Sequence, residues 1–427
     1  VDHPRTDQHD AAALPVAIIG AGPVGLAAAA HLIERGIDVV LLEAGPSAGA
    51  AVAEWGHIKT FSTWRYNIDA AAARLLAAHG WEPPHPKRLP TGTDLVEQYL
   101  APLAGTEPIA ASLRTGHRVT AVSRLGLDTT RTLGRADAPF LIVSETADGV
   151  VHLTARAVID ASGTWAQPNP VGASGLEVPG EQEARAAGVV TSALPDVLGA
   201  ERDRFAGQHT LVIGGGHSAA NTLLALGRLV DQVPGTRVTW GLRAPSPARV
   251  YGGGDADGLP ERGALGTRLK NMVESGRIEL RTQFTVASVH PHTSGLTVHA
   301  HTPHGVEEFD VAALVPATGF RPNLGLLREL QLELDPVMEA PRELGPLIDP
   351  QFHSCGTVPA HGATLLAHPE PNFFIVGMKS YGRAPTFLMA TGYEQVRSIA
   401  AHLAGDQPAA EHVELELPAT GVCSTNA

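Results

Sequence analysis

The sequence predicts an α/β chain of two three-layer domains, the second inserted in the first. Three observations predict it. Two glycine-rich loops each follow an apolar strand and each open an Ala/Leu-rich helix. Two further apolar blocks, each ending in small residues and a glycine, flank the second loop on either side. The length of 427 residues, 44% of them apolar, allows two or three domains with ample core.

The first loop reads Val16-Ala17-Ile18-Ile19-Gly20-Ala21-Gly22-Pro23-Val24-Gly25-Leu26. Gly20 permits the tight turn off the strand, Gly22 lets backbone approach a pyrophosphate, and Gly25 lets the helix pack on the sheet. The helix N-terminus adds N–H groups and the positive end of a dipole. An acid is expected at the end of the second strand about 20 residues on, and Asp38-Val39-Val40-Leu41-Leu42-Glu43 supplies it. A Glu43 carboxylate accepts hydrogen bonds from a ribose diol and repels a 2′-phosphate. The site suits FAD or NAD and not NADP, and the unit reads as Rossmann-like.

A loop with Gly45, Pro46 and Gly49 follows, then the stretch from Glu54 to Asn67. That stretch mixes aromatic and polar groups without a period, a poor core element and a good wall for a flat ring. An ordinary surface loop with anchoring aromatics is the alternative. Asp69 to Gly80 reads as a helix with Leu75 and Leu76 inward and Gly80 as its stop. Trp81 to Pro90 is a proline-rich connector. Thr93 to Leu103 is a second helix capped by Thr93 or Thr91. Arg118–Arg124, Phe140–Glu145 and Val150–Leu153 read as an antiparallel meander, and Ala155–Asp160 returns as a parallel strand.

The first flanking block is Val158-Ile159-Asp160-Ala161-Ser162-Gly163-Thr164-Trp165, before the prolines at 168, 170 and 179. The other is Ala313-Leu314-Val315-Pro316-Ala317-Thr318-Gly319-Phe320. Small residues there let the chain run beneath a nucleotide while it crosses between domains. The boundaries expected are 1–170 for the first part of the outer domain, 171–318 for the inserted domain and 319–427 for the return. The last helix is placed at Ala384–Leu403, after Phe373 to Lys379.

The second loop is Leu211-Val212-Ile213-Gly214-Gly215-Gly216-His217-Ser218-Ala219-Ala220. Ala219 still permits close helix packing. The next strand, Thr236 to Arg243, ends in Arg243 rather than an acid, and Arg249 follows. Two guanidiniums suit a doubly charged 2′-phosphate, which makes this site NADPH-selective. Solvated loop arginines are the alternative.

Thirty-one basic against 44 acidic residues give a net charge of −13. That disfavours nucleic acid and anionic membranes. Two cysteines, Cys355 and Cys423, exclude a disulfide scaffold. The N-terminus is polar, without a signal-peptide core, and no stretch reaches the roughly 18 apolar residues of a membrane span; a cytoplasmic chain is expected. Cys355 with His353, His361 and His368 fits no zinc pattern, so no metal is expected. His290 and His292 read as loop residues. No Ser-His-Asp order fits a hydrolase.

The pattern resembles the two-dinucleotide-binding-domain flavoproteins, and most the flavin-containing and N-hydroxylating monooxygenases. The resemblance rests on the Gly20 loop with Glu43, the Ala161-Ser162-Gly163 joint, the Gly214 loop with Arg243, the Ala317-Thr318-Gly319-Phe320 joint and the Gly377 helix entry. It implies FAD in the first domain and NADPH in the second. It further implies hydride transfer to flavin N5, a flavin C4a-hydroperoxide from O₂, and oxygen transfer to an amine, sulfide or trivalent metalloid. Two departures stand. The Phe-x-Gly-x-x-x-His stretch of flavin monooxygenases has Ala186 and Ser192 in its outer places around Gly188, which argues against a Baeyer–Villiger enzyme. Thioredoxin reductases share the Gly214–Ala219 pattern, but this chain has no Cys-x-x-Cys. An NAD(P)H oxidase or reductase serving a quinone, metal or carrier protein stays open.

Cofactor contacts are accordingly expected at Gly20, Gly22, Gly25, Glu43, Ala161, Gly163, Gly214, Gly216, Ser218, Ala219, Arg243, Arg249, Thr318, Gly319, Gly377 and Met378, the last through its backbone N–H at the flavin N1–C2=O edge. Asn67 is expected to steady a hydroperoxide, and Lys379, Tyr381 and Arg383 to reach substrate. A capped, solvated helix start is the alternative for the last three. The expected partners are O₂ and a small-molecule substrate, with room for a homodimer.

Overall fold

The computed structural model of the chain describes residues 13–252, 260–352, 358–385 and 387–415. Cys355, Cys423 and His353 lie outside them. The described residues form two compact units, one running to Ala166 and resuming at Pro322, the other from Gln167 to Arg321. Among the described residues no helix is long and apolar enough to cross a membrane.

In the first unit, β1 (Val16–Ile19) leads into the helix Pro23–Glu34 and then β2 (Val39–Leu42). Both strands are short apolar runs with little exposure, as strands covered on both faces must be. The helix Ala70–Ala78 is capped by the Asp69 side chain, and Leu76 is its buried leucine. At the next helix Thr91 and Asp94 form a reciprocal capping box. A π turn at Val96–Leu100 interrupts the regular helix expected there. The edge strand β3 is Leu113–Arg114. The meander follows as β4 (Arg118–Arg124), β5 (Phe140–Thr146) and β6 (Gly149–Ala155), then β7 (Ala157–Asp160).

The second unit repeats the plan. β8 (His209–Ile213), the helix His217–Gln232, β9 (Arg237–Leu242) and β10 (Glu279–Thr282) begin it. A second antiparallel meander follows, β11 (Thr285–His292), β12 (Gly295–Thr302) and β13 (Gly305–Val311), and β14 (Ala313–Pro316) completes the set. The parallel sheet has the order β10-β9-β8-β14. His290 and His292 are therefore strand residues, not loop residues. A register shift between Val286 and Ser288 and the intervening Pro291 hide the period of two. Inward residues Val289, Val298 and Phe309 pack with Leu211 and Leu314.

After the chain returns, β15 (Phe373–Ile375) completes the first sheet, order β15-β7-β1-β2-β3, with every pair parallel. Helices cover one face, with Ile18 and Ile159 packed among Leu26, Leu32 and Val396. The meander covers the other, where Ala17 and Ile19 meet Val122, Phe140 and Ile142. The fold is the α/β, three-layer, two-Rossmann architecture expected.

The helix expected at Ala384–Leu403 starts at Met389, and it is not the final one, since the short helix Gln407–Glu411 follows it. A 3-10 turn at Gly377–Tyr381 precedes the longer helix, and Gly382, at φ +54°, breaks the path between them. Residues 56–65 are also more ordered than their composition suggests. Their backbone pairs with the proline-rich connector: Gly92 N donates to Ile58 O (2.9 Å), Thr60 N to Pro90 O (2.9 Å) and Trp64 N to Arg88 O (2.9 Å). Prolines accept but cannot donate, so the connector supplies carbonyls and the aromatic segment most of the N–H groups.

Candidate functional site

The first loop is built by steric exclusion. Gly20 has φ +96°, and a Cβ there would stand 2.8 Å from Ala161 O. A Cβ on Gly25 would collide with Gly20 O. Gly22 differs: a Cβ there meets no protein atom within 4 Å. It caps the helix Pro23–Glu34 without a side-chain hydrogen bond, so the loop mouth is open at the helix N-terminus. Glu43 closes the far side. Its carboxylate accepts from Ala21 N and Gly45 N, each at 2.7 Å. A carboxylate has about four lone-pair sites, which leaves acceptor capacity for a diol.

The second loop has the same construction. Gly214 has φ +135°, and a Cβ there would collide with Ala317 O. Gly216 caps the helix His217–Gln232, and a Cβ on it meets nothing within 4 Å. Ala219 is buried against the sheet and Ser218 is half-buried. Arg243 is exposed, with Nη1 on Ala173 O at 3.2 Å, and Arg249 lies on the short exposed turn Ala248–Tyr251. The crossing strands of this unit pair through Pro168 and Phe320. Thr318 Oγ1 donates to Asn169 O (2.8 Å), and Asn169 Nδ2 donates to Thr318 O (3.1 Å). Thr318 is thus a clasp of the crossing, and Gly319, at φ +88°, turns the chain beside it.

Two segments of the first unit meet the open loop. The end of β7 touches Gly20 through Ala161, and a Cβ on Gly377 would press on Val24 at 3.3 Å. Gly163 turns the chain away from β7 at φ +68°. The turn Gly377–Tyr381 is held by a buried amide network. Gln395 Oε1 accepts from Gly377 N (2.8 Å), and Gln395 Nε2 bridges Ser380 Oγ and His361 Nε2, each at 2.9 Å. His361 Nδ1 then donates to Pro359 O at 2.9 Å. Burial lowers the His361 pKa and so favours the neutral ring. Gln395, His361 and Ser380 were not expected. A glutamine inside the apolar face of the helix Met389–Leu403 was the one signal for them.

The expected substrate-facing residues divide. Met378 is half-buried, with its side chain outside the network. Tyr381 is buried, edge-on to Phe387 (5.0 Å between ring centres), and burial raises its phenol pKa. Arg383 is exposed and pairs with Glu339 at 3.0 Å.

Lys379 and Asn67 require correction. Lys379 is fully buried, with Nζ 2.6 Å from Asp160 Oδ2 and 3.1 Å from Ser162 Oγ. An ammonium on so buried a stem needs a counter-charge, and Asp160 supplies it. Asn67 is also fully buried. Its Nδ2 donates to Ser62 O (2.8 Å) and its Oδ1 accepts from Ser62 Oγ (2.7 Å). Its amide closes the turn at residues 62–67, and its carbonyl oxygen accepts from Tyr393 OH at 2.8 Å. Trp64 is likewise fully buried.

These folds and loops define an oxidoreductase with two dinucleotide domains. The chain belongs to the pyridine nucleotide-disulphide oxidoreductase family, whose profile matches residues 17–342. It is similar to the bacillithiol disulfide reductase of Bacillus cereus, with 19% identity and a TM-score of 0.66 over 92% of this chain and 99% of that one. It is also similar to the FAD-bound cadaverine monooxygenase of the desferrioxamine pathway from Erwinia amylovora, with 13% identity and a TM-score of 0.61 over 97% and 99%. The ornithine hydroxylase of Pseudomonas aeruginosa matches with 16% identity and a TM-score of 0.60 over 92% and 99%. No curated protein sequence matches the chain significantly.

Proposed function

We propose that the chain is an FAD- and NADPH-dependent monooxygenase that transfers one oxygen atom from O₂ to a small soft nucleophile, an amine, sulfide or trivalent metalloid. The carrying observation is the absence of a dithiol. The family moves electrons from pyridine nucleotides, yet this chain has two cysteines far apart in sequence and no Cys-x-x-Cys. Electrons that cannot pass to an adjacent dithiol leave the flavin directly for the acceptor. The hydroxylase and monooxygenase neighbours use this same fold.

The residues present fit the cofactors. The open space over Gly22 admits a pyrophosphate, with Gly20 and Gly25 holding the loop and Glu43 the adenosine ribose. Ala161, Gly163 and Gly377 bring backbone to the same mouth, where the Met378 N–H is the proposed donor to the flavin. In the second unit Gly214, Gly216, Ser218 and Ala219 form the NADPH cradle, and Thr318 and Gly319 carry the chain past it. Bound FAD supplies the hydride acceptor and the oxygen-activating ring. The protein binds, orients and excludes water. Tyr381 and Arg383 are the proposed substrate-side groups, while Asn67 and Lys379 act through the segments they hold.

Arg243 and Arg249 are proposed to select NADPH through its 2′-phosphate. A charge-assisted contact contributes about 1.5–3 kcal/mol, so Arg243→Ala should weaken NADPH roughly ten- to hundredfold. NADH should change little. Equal losses for the two nucleotides in a titration would remove the 2′-phosphate role.

The deciding experiment is peroxide released per NADPH consumed, with and without amines, sulfides and arsenite. A monooxygenase lowers that ratio with its substrate and forms oxygenated product. The likeness to bacillithiol disulfide reductase favours a second reading, a reductase. An enzyme that returns all its oxygen as peroxide with every nucleophile, and reduces a small disulfide with NADPH, supports that reading instead.

A further inference from the structure

Lys379 and Asp160 form a buried ion pair in the first unit, and Ser162, itself exposed, hydrogen-bonds to both. Lys379 and Asp160 side chains are both 0% exposed, with Nζ and Oδ2 2.6 Å apart. Asp160 Oδ1 accepts from Ser162 Oγ (2.6 Å) and Ser162 N (3.1 Å), and Lys379 Nζ reaches Ser162 Oγ at 3.1 Å. The position is unusual for an ion pair. Asp160 ends β7, and the next residue, Ala161, has its carbonyl against Gly20 at the first glycine loop. Lys379 lies in the turn that presses Gly377 on Val24, in the first turn of the loop helix. A buried carboxylate thus stands within a few residues of the mouth where a doubly charged pyrophosphate would bind.

We infer that Lys379 is a positioning residue whose charge screens Asp160 from the pyrophosphate of the bound dinucleotide. The inference rests on the reading that this loop binds FAD. Charges inside a protein interact far more strongly than in water, because little solvent screens them. With Lys379 present, the cluster is neutral and the helix N-terminus alone sets the field at the loop. With Lys379 removed, Asp160 opposes the anion that the loop is built to hold. With Asp160 removed instead, the ammonium remains and favours the same anion. The two single replacements therefore have opposite signs for FAD affinity. A clasp that merely joined β7 to the 377–381 turn would lose affinity on either side.

The test uses the full chain, stripped of flavin, and measures FAD binding by quenching of flavin fluorescence. Circular dichroism and thermal melting of the flavin-free protein check that each variant is folded. Lys379→Met should weaken FAD at least tenfold, and Asp160→Asn should leave it unchanged or tighter. The neutral double variant, Asp160→Asn with Lys379→Met, should return within about threefold of wild type. Should Lys379→Met fail to fold, Asp160→Asn and the double variant still decide the matter, since both must then bind FAD well. Equal losses in the two single variants, or a double variant as weak as Lys379→Met, would overturn the inference while leaving the FAD site in place. A wild-type chain with no affinity for FAD would overturn the FAD reading, and this inference with it.

Discussion

Glu370→Ala should be among the most destabilising single replacements in the first unit, at about 3–5 kcal/mol, the usual effect of breaking a buried ion pair from one side. Glu370 is 1% exposed and holds two arginines at once. Its Oε1 accepts from Arg124 Nε and its Oε2 from Arg135 Nε, both at 2.7 Å, and Gln331 N adds a third bond at 2.9 Å. Arg124 also stacks over Phe140, 3.6 Å from the ring centre, and donates to Ala138 O at 2.6 Å. Arg135 donates to Glu329 O at 2.6 Å. These bonds tie the meander to the segment that returns after residue 322. Without the carboxylate, two buried guanidiniums face each other uncompensated. A domain is stable by only about 5–15 kcal/mol, so the loss should appear as a large fall in the urea midpoint of unfolding. Arg74→Ala is the control, because its pair with Glu34 is exposed and such pairs contribute about 0–1 kcal/mol. A Glu370→Ala midpoint indistinguishable from that of Arg74→Ala would show that the triad does not hold the unit together.

What the sequence made legible was local. The two glycine loops, the acid at Glu43 and the apolar strands β1, β7, β8 and β14 are read from a few consecutive residues, because each is a run of groups with one conformational solution. The first meander was legible through its apolar runs, such as Phe140-Leu141-Ile142-Val143, although it too carries a register shift, between Val119 and Ala121. The second was not, because Pro291 and four histidines interrupt the apolar pattern of β11 and β12. The roles of Lys379 and Asn67 were hidden for a different reason. Each has a partner, Asp160 or Ser62, that only the folded chain brings into reach. A lysine in a polar turn and a lysine in a buried pair look alike in sequence. The acid closing the apolar run Val158-Ile159-Asp160 was the hint that a counter-charge had to come from elsewhere. The start of the helix Met389–Leu403 was misplaced because Ala384 and Leu388 continue its composition upstream, while the backbone break at Gly382 is a matter of φ.

The second large effect separates two glycines three residues apart in the first loop. Gly25→Val should prevent folding of the first unit, since its Cβ would drive into Gly20 O and lie 3.5 Å from the Ala161 side chain. Nothing there can yield, because Gly20 is itself fixed against Ala161. Gly22→Val should fold. Its backbone, at φ −77° and ψ −173°, is extended and open to any residue, and no protein atom lies within 4 Å of the new Cβ. The valine would instead fill the space assigned to the pyrophosphate and shut anions off from the helix N-terminus. Losing two charge-assisted hydrogen bonds of about 1.5–3 kcal/mol each weakens binding by roughly two to four orders of magnitude. The expected products are an insoluble Gly25→Val protein and a soluble, colourless Gly22→Val protein with near-native circular dichroism. Flavin content, read as visible absorbance against protein absorbance, is the measurement. A yellow Gly22→Val protein with full FAD would mean that the open space above this glycine is not where the pyrophosphate sits, and the assignment of the first site would fall with it.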